Sequence, residues 1–119
     1  MTPQVLYKAQ AFAIRIVKAH EYLVNEKKEY RISDQLYRSG TAIAALIAEA
    51  EFAQSKADFI SKMQIALKEA NESKNWIFLL YSTNFIDERP YKSIYRDINE
   101  IIATLIKIIT TTKKNHGLQ

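Results

Sequence analysis

Apolar residues recur at intervals of three and four along most of this 119-residue chain. That is the period of an amphipathic α-helix and not the alternation of a strand. Four such stretches stand between short polar links. The first predicts a helix from about Gln4 to Val24, with a seam of Leu6, Ala9, Ala13, Ile16, His20 and Leu23. His20, on that seam, is expected to be a hydrogen-bonded core or interface histidine. The link from Asn25 to Arg31 is polar. A second helix is predicted from Ser33 or Asp34 to Ala53, because either side chain can accept from the free N–H groups of a first turn. Its seam is Leu36, Ile43, Leu46, Ile47 and Ala50.

Ser55 and Asp58 form a capping box with Asp in place of Glu or Gln. They open a third helix, from about Lys56 to Asn84, with Phe59, Met63, Ala66, Ala70, Ile77 and Leu80 as its seam. Asp87-Glu-Arg-Pro90 interrupts the pattern, and proline suits a first helical turn. A fourth helix follows from about Tyr91 to Thr112, and the tail 113–119 is expected to fray. The fourth helix carries two apolar stripes where a bundle helix needs one. Ile94, Ile98, Ile101, Leu105 and Ile108 form the first. Tyr95, Ile102 and Ile109 form the second, about 100° round, with Ile106 beside it. The second stripe is therefore a candidate interface between copies of the chain. The alternative is a wide core face.

The predicted fold is all-α: a single antiparallel, up-down-up-down four-helix bundle spanning residues 1–119. Composition agrees. Hydrophobic residues make up 48% of the chain, enough for a real core, and only two glycines and two prolines are available for turns. No cysteine is present, and neither an apolar leader nor a membrane-length apolar run is found, which fits a reducing cytoplasm.

The two central helices hold the most specific pattern. They read QLYRSGTAIAALIAEA and SKADFISKMQIALKEANESKNW. Arg38, Ser39, Gly40, Thr41, Ala48, Glu49, Ser55, Lys56, Asp58, Lys62, Lys68, Glu69, Glu72 and Trp76 are set among small and apolar residues in a fixed register. This register resembles that of the bacterial four helix bundle proteins, also called 23S-rRNA intervening-sequence proteins. The likeness covers about a third of the chain closely. It departs at Leu46, where the family pattern has Asn, so a polar network there would lack one member. The resemblance implies an antiparallel four-helix bundle and a homopentameric ring. Some members are encoded inside insertions in large-subunit rRNA genes, and a related group serves retroelement reverse transcriptases as a basic, ring-shaped accessory. The resemblance thus implies a link to RNA and carries over no catalytic residues.

The charged residues admit two readings. Arg38 and Glu49 lie three turns apart on one helix face, while Lys62, Glu69 and Glu72 share the strip of Trp76. They are expected to form a structural polar network, because a buried charge must be paired. Lys8, Arg15 and Lys18 share a face of the first helix, Lys27, Lys28 and Arg31 follow in the link, and Lys92, Arg96, Lys107 and Lys114 line the fourth helix. Of these, Lys8, Arg15, Lys18, Lys27, Lys28, Lys92 and Arg96 are the candidate nucleic-acid contacts. The chain's net charge is +4, so a ring of five would carry about +20. Tyr7, Tyr22 and Tyr30 are candidates for base stacking.

No catalytic set can be drawn. A ferritin-like di-metal site needs Glu-x-x-His motifs, and neither His20 nor His116 follows a Glu by three. No phosphate-binding glycine loop is present. No metal, cofactor or enzymatic activity is expected. The expected role is a self-assembling bundle with sequence-independent RNA association. The alternative is an adaptor or assembly subunit that binds another protein and no nucleic acid.

Overall fold

A computed structural model describes residues 3–115. It contains α1 (Pro3–Asn25), α2 (Arg31–Ala50), α3 (Lys56–Ser82) and α4 (Glu88–Asn115), joined by five-residue links. Paired contacts fix the directions of the helices. On α1 and α2, Ile16 meets Gly40 while His20 meets Asp34. On α1 and α4, Arg15 meets Asp97 while Lys8 meets Glu100. On α3 and α4, Tyr81 meets Tyr91 while Lys74 meets Tyr95. In each pair one number rises as the other falls, so α1 is antiparallel to α2 and α4, and α4 to α3. It follows that α2 and α3 are antiparallel as well. Each helix packs on its two neighbours around a bundle measuring 49 × 21 × 21 Å.

Two links turn on residues in the left-handed region, Lys28 (φ 55°) and Asn84 (φ 70°). In both, the next amide reaches back to a helix carbonyl: Glu29 N–H to Leu23 at 3.0 Å and Phe85 N–H to Leu80 at 2.8 Å. Asparagine tolerates this geometry, and it closes a helix end in the way glycine usually does.

Helix α2 starts earlier than Ser33. Its first turn is capped by the buried Glu29, whose carboxylate accepts from the N–H groups of Arg31, Ile32 and Ser33 at 3.2, 3.1 and 2.7 Å. A carboxylate also complements the positive end of the helix dipole. Ser33 is instead buried inside the turn, with its hydroxyl donating to the Glu29 carbonyl. Asp34 points at His20. At its other end α2 stops at Ala50, before the expected Ala53. The capping box of α3 forms, with the Asp58 N–H donating to the Ser55 hydroxyl at 3.0 Å. The Asp58 carboxylate accepts in return from Gln54, one residue before the cap. Helix α4 continues past Thr112 to Asn115, and so takes in the first residues of the expected frayed tail; residues 116–119, His116 among them, lie outside the described residues.

The core holds the expected α2 seam except Leu46, which is half-buried at its margin. The seam of α1 is set one residue round from the expected one. Val5 and Phe12 are buried with Ala9, Ile16 and Leu23, while Leu6 and Ala13 lie half-buried at the side. Turning the helix this way buries a phenyl ring in place of a methyl group, a larger apolar area. It also swings His20 out to the α1–α2 boundary, 2.7 Å from the Asp34 carboxylate and beside the Tyr37 ring. Ile60 replaces Phe59 in the α3 core. Ile109 replaces Ile108 in α4, because a straight helix drifts against a seven-residue repeat.

The α1–α2 contact depends on Gly40. A Cβ there would lie 2.8 and 3.0 Å from the two γ carbons of Ile16. Gly40→Ala should therefore destabilise the bundle by about 1–3 kcal/mol. In an Ile16→Ala background its cost should largely vanish, giving a clear coupling energy in a denaturant double-mutant cycle. Additive costs would mean that the helices do not meet there.

Candidate functional site

The polar residues of the central motif converge between α2 and α3. The Arg38 guanidinium lies 2.9 Å from the Glu69 carboxylate and also bonds to Glu72. Glu72 accepts in addition from the Trp76 indole N–H at 3.2 Å. One turn along, the buried hydroxyls of Ser39 and Ser73 sit 2.8 Å apart, and Ser73 reaches the Glu69 carbonyl at 2.9 Å. The Glu69 side chain is only 11% exposed, whereas that of Arg38 is 54% exposed. The cluster therefore sits at the rim, with its carboxylate inside and its cation outside. Glu69, ahead of Glu72, raises the Arg38 pKa further above its ordinary value, so Arg38 stays charged at any working pH.

The structure brings together Arg38, Glu69 and Glu72 of the five residues expected in this network. Lys62 bonds instead to Asp58 at 2.7 Å, one turn back on its own helix, and Glu49 is exposed and makes no ion pair among the described residues. Leu46 is half-buried against the core, and nothing at its position links Arg38 to Glu49. Among the described residues, no buried side-chain nitrogen or oxygen lacks a partner, and no cluster of three potential metal ligands occurs. The arrangement binds two helices. It presents no nucleophile beside a base.

The candidate cations fall into two groups. Arg15 is held by Asp97 at 2.6 Å and by Ser93 at 3.1 Å, Lys8 stands 3.8 Å from Glu100, and Lys92 stands 3.5 Å from Glu88. These three are engaged within the chain. Lys18, Lys27, Lys28 and Arg96 are exposed and form no ion pair among the described residues. Lys27 lies over the Tyr22 ring. A small cavity of about 110 Å³ opens between Lys8, Phe12, Asp97 and Glu100 on the α1–α4 seam.

The second stripe of α4 packs inside the chain. Ile109 is 6% exposed, and Tyr95 and Ile102 are half-buried against the core. Tyr91 stacks on Tyr81 with ring centres 4.0 Å apart, and burial is the first cause that raises its phenol pKa. Exposed apolar side chains occur on every helix: Tyr7, Ile14, Val17 and Tyr22 on α1, Tyr37 on α2, Ile65 and Phe78 on α3, and Ile106 on α4 beside the second stripe, with Tyr30 and Phe52 in the links either side of α2. The periodicity of α4 could show a second stripe and not what would cover it. Trp76 as a hydrogen-bond donor to Glu72 was visible as an i,i+4 pair. The Arg15–Asp97 contact had no local signal, whereas the Glu29 cap lies within four residues of the amides it accepts from and could have been read as an N-cap.

A family model described as 23S rRNA-intervening sequence protein matches residues 2–107. Among solved structures, a crystal structure of a protein of unknown function from the S23 ribosomal protein family of Bacteroides thetaiotaomicron is 53% identical. The match covers 88% of this chain and 97% of that one, with a TM-score of 0.87. No curated protein matches. No described helix is long and apolar enough to cross a membrane.

Two outcomes test these contacts. Glu69→Gln should cost about 1–3 kcal/mol, the range for a hydrogen bond to a charged group, whereas Glu49→Gln should stay within about 0.5 kcal/mol. Equal urea midpoints for the two variants would contradict the cluster. The Lys62 hydrogen bond, then that from the Gln54 N–H, holds the Asp58 carboxyl below its ordinary 3.8. The folded chain then binds fewer protons than the unfolded one near that pH. The resulting stability is present above about pH 4 and is lost as pH falls through the folded-state pKa. Asp58→Asn should therefore shrink the difference in urea midpoint between pH 7 and pH 3, and an unchanged difference would refute this.

Proposed function

The chain belongs to the 23S rRNA-intervening sequence protein family, and from that premise and its surface we propose a non-enzymatic bundle that assembles with itself and holds nucleic acid through its phosphates. The observation that carries this reading is a surplus of uncommitted positive charge. Of 17 Lys and Arg residues, five are in ion pairs among the described residues, which leaves twelve. Of 13 acidic residues, seven are paired among the described residues, which leaves six. The uncommitted cations include Lys18, Lys27, Lys28 and Arg96. Backbone contacts of this kind need no motif and release counterions. Assembly multiplies them, and a ring of five in a bacterial cytoplasm is the form that the reading takes.

The surface for assembly is the outer side of α1 and α2. Tyr7, Ile14 and Val17 share a side of α1, while Tyr37, Thr41, Ala45, Ala48 and Phe52 share a side of α2. None of them is charged. The tight crossing at Gly40 brings the two strips side by side. An uncharged strip across two helices and the link after α2 is the kind of surface that a second copy covers.

Anisotropy of a labelled generic RNA should show binding that weakens steeply between about 50 and 200 mM salt, equally for unrelated sequences. No binding at the lowest salt would favour the adaptor reading. Light scattering should give a multiple of the 13.8 kDa chain mass. The double variant Ile14→Glu/Phe52→Glu should reduce the particle to the single chain with its helicity intact, whereas Ile109→Glu should unfold it. A monomeric wild-type protein would refute assembly.

A further inference from the structure

The outer face of α4 packs against no other helix. Along it, Arg89, Arg96, Lys107 and Lys114 recur at intervals of seven, eleven and seven, and all are exposed. Seven residues are close to two turns and eleven close to three. The four side chains therefore stand in one line within about 20°, about 38 Å long at 1.5 Å per residue. None of the four makes an ion pair among the described residues. The acidic neighbours are already occupied, Glu88 by Lys92 and Glu100 by Lys8. Beside the line lies a shallow depression of about 480 Å³, lined by Tyr91, Tyr95, Asn99 and Ala103, by the cations Lys92 and Arg96, and by Glu100, whose carboxylate faces Lys8 at 3.8 Å. Lys74 lies over the Tyr95 ring, 5.3 Å from its centre, so a stacking base shares or displaces that lysine, and Tyr91, itself stacked on Tyr81, packs tilted against Tyr95 at 5.0 Å.

We infer that this face of α4 is a track for single-stranded nucleic acid: the line of cations follows the phosphates and an unpaired base stacks at Tyr95. The inference rests on the nucleic-acid reading above and deepens it by moving the site from the α1 face and its link to α4. Charge decides the class of ligand, because a straight row of free cations matches a polyanion and repels a basic peptide. The tyrosines decide its form. A duplex keeps its base faces inside, while a single strand offers them to aromatic rings.

The test compares a fluorescein-labelled U-rich RNA strand with its duplex, by anisotropy across about 50–200 mM salt. Circular dichroism and light scattering confirm that each variant keeps its fold and particle mass. Replacing Arg96, Lys107 and Lys114 together by Gln should flatten the logarithmic salt slope by about two, three contacts at about 0.7 each for a single strand. Replacing Lys18, Lys27 and Lys28 together by Gln should weaken binding and flatten the slope less than the α4 replacement does. Tyr95→Leu should weaken single-strand binding about five-fold or more and leave duplex binding alone. Tyr95→Phe, which keeps the ring, should restore it. If the loss follows the Lys18 group and spares the α4 group, the protein binds nucleic acid but the α4 track is overturned. Equal loss for strand and duplex in Tyr95→Leu overturns the stacking. A wild-type protein that binds neither probe at the lowest salt overturns both this inference and the reading beneath it.

Discussion

Four helices of 20 to 28 residues leave this bundle few chances to correct a misplaced crossing, and the crossing that sets the others lies at Arg38–Ser39–Gly40. Gly40 lets Ile16 of α1 come within a distance that any side chain at position 40 would block. The residue before it, Ser39, meets Ser73 of α3, and the one before that, Arg38, takes hold of Glu69 and Glu72. Three consecutive residues therefore orient α2 against both of its neighbours. Close packing on one side and specific polar partners on the other leave α2 little freedom to rotate or slide. The remaining apolar contacts then follow as complementary surfaces.

The charges of the chain divide by location. Those at the helix seams are matched: Arg38 with two carboxylates, Arg15 with Asp97, Lys62 with Asp58, and His20 with Asp34. Desolvation makes an unmatched charge costly there. On the outer faces matching is optional, and there the cations go unmatched far more often than the acids. An excess of one sign on the surface contributes little to folding and much to association with an oppositely charged partner. The same division explains why the central motif, rich in charge as it is, reads as a structural joint. Every buried polar atom in it already has a partner among the described residues.

The apolar surface divides in a comparable way. Helix α4 buries two stripes because α3 offers a broad aromatic flank, with Tyr81 stacked on Tyr91 and Lys74 over Tyr95. Exposed apolar side chains remain on every helix, but the two most exposed are Phe52, in the link after α2, at 85% and Tyr7 on α1 at 65%. A chain that spends two stripes of one helix on its own core has a wider core than helical periodicity requires. It leaves its most exposed apolar side chains on or beside helices that looked ordinary.

The sequence by itself determined the four helices and their order, for reasons that are local. Periods of three and four, the Ser55–Asp58 cap, Pro90 in a first turn and the scarcity of glycine act within one or two turns of chain. The sequence put Arg38 and Glu49 on one face of α2 and Lys62, Glu69, Glu72 and Trp76 on one strip of α3; which of them meet was left to the packing. Only the tertiary structure decided which way each helix is turned. Val5 with Phe12, or Leu6 with Ala13, would serve equally well as a seam for an isolated α1; packing against α2 and α4 chose the bulkier pair. That choice carried His20 to Asp34 and Arg15 to Asp97, partners 14 and 82 residues distant. It also left Lys62 with its neighbour Asp58 in place of the carboxylates further along, and covered Ile109 while baring Ile14. Side-chain periodicity encodes a face; which neighbour that face meets depends on the azimuth and register of two helices at once, and those are settled only when the bundle closes.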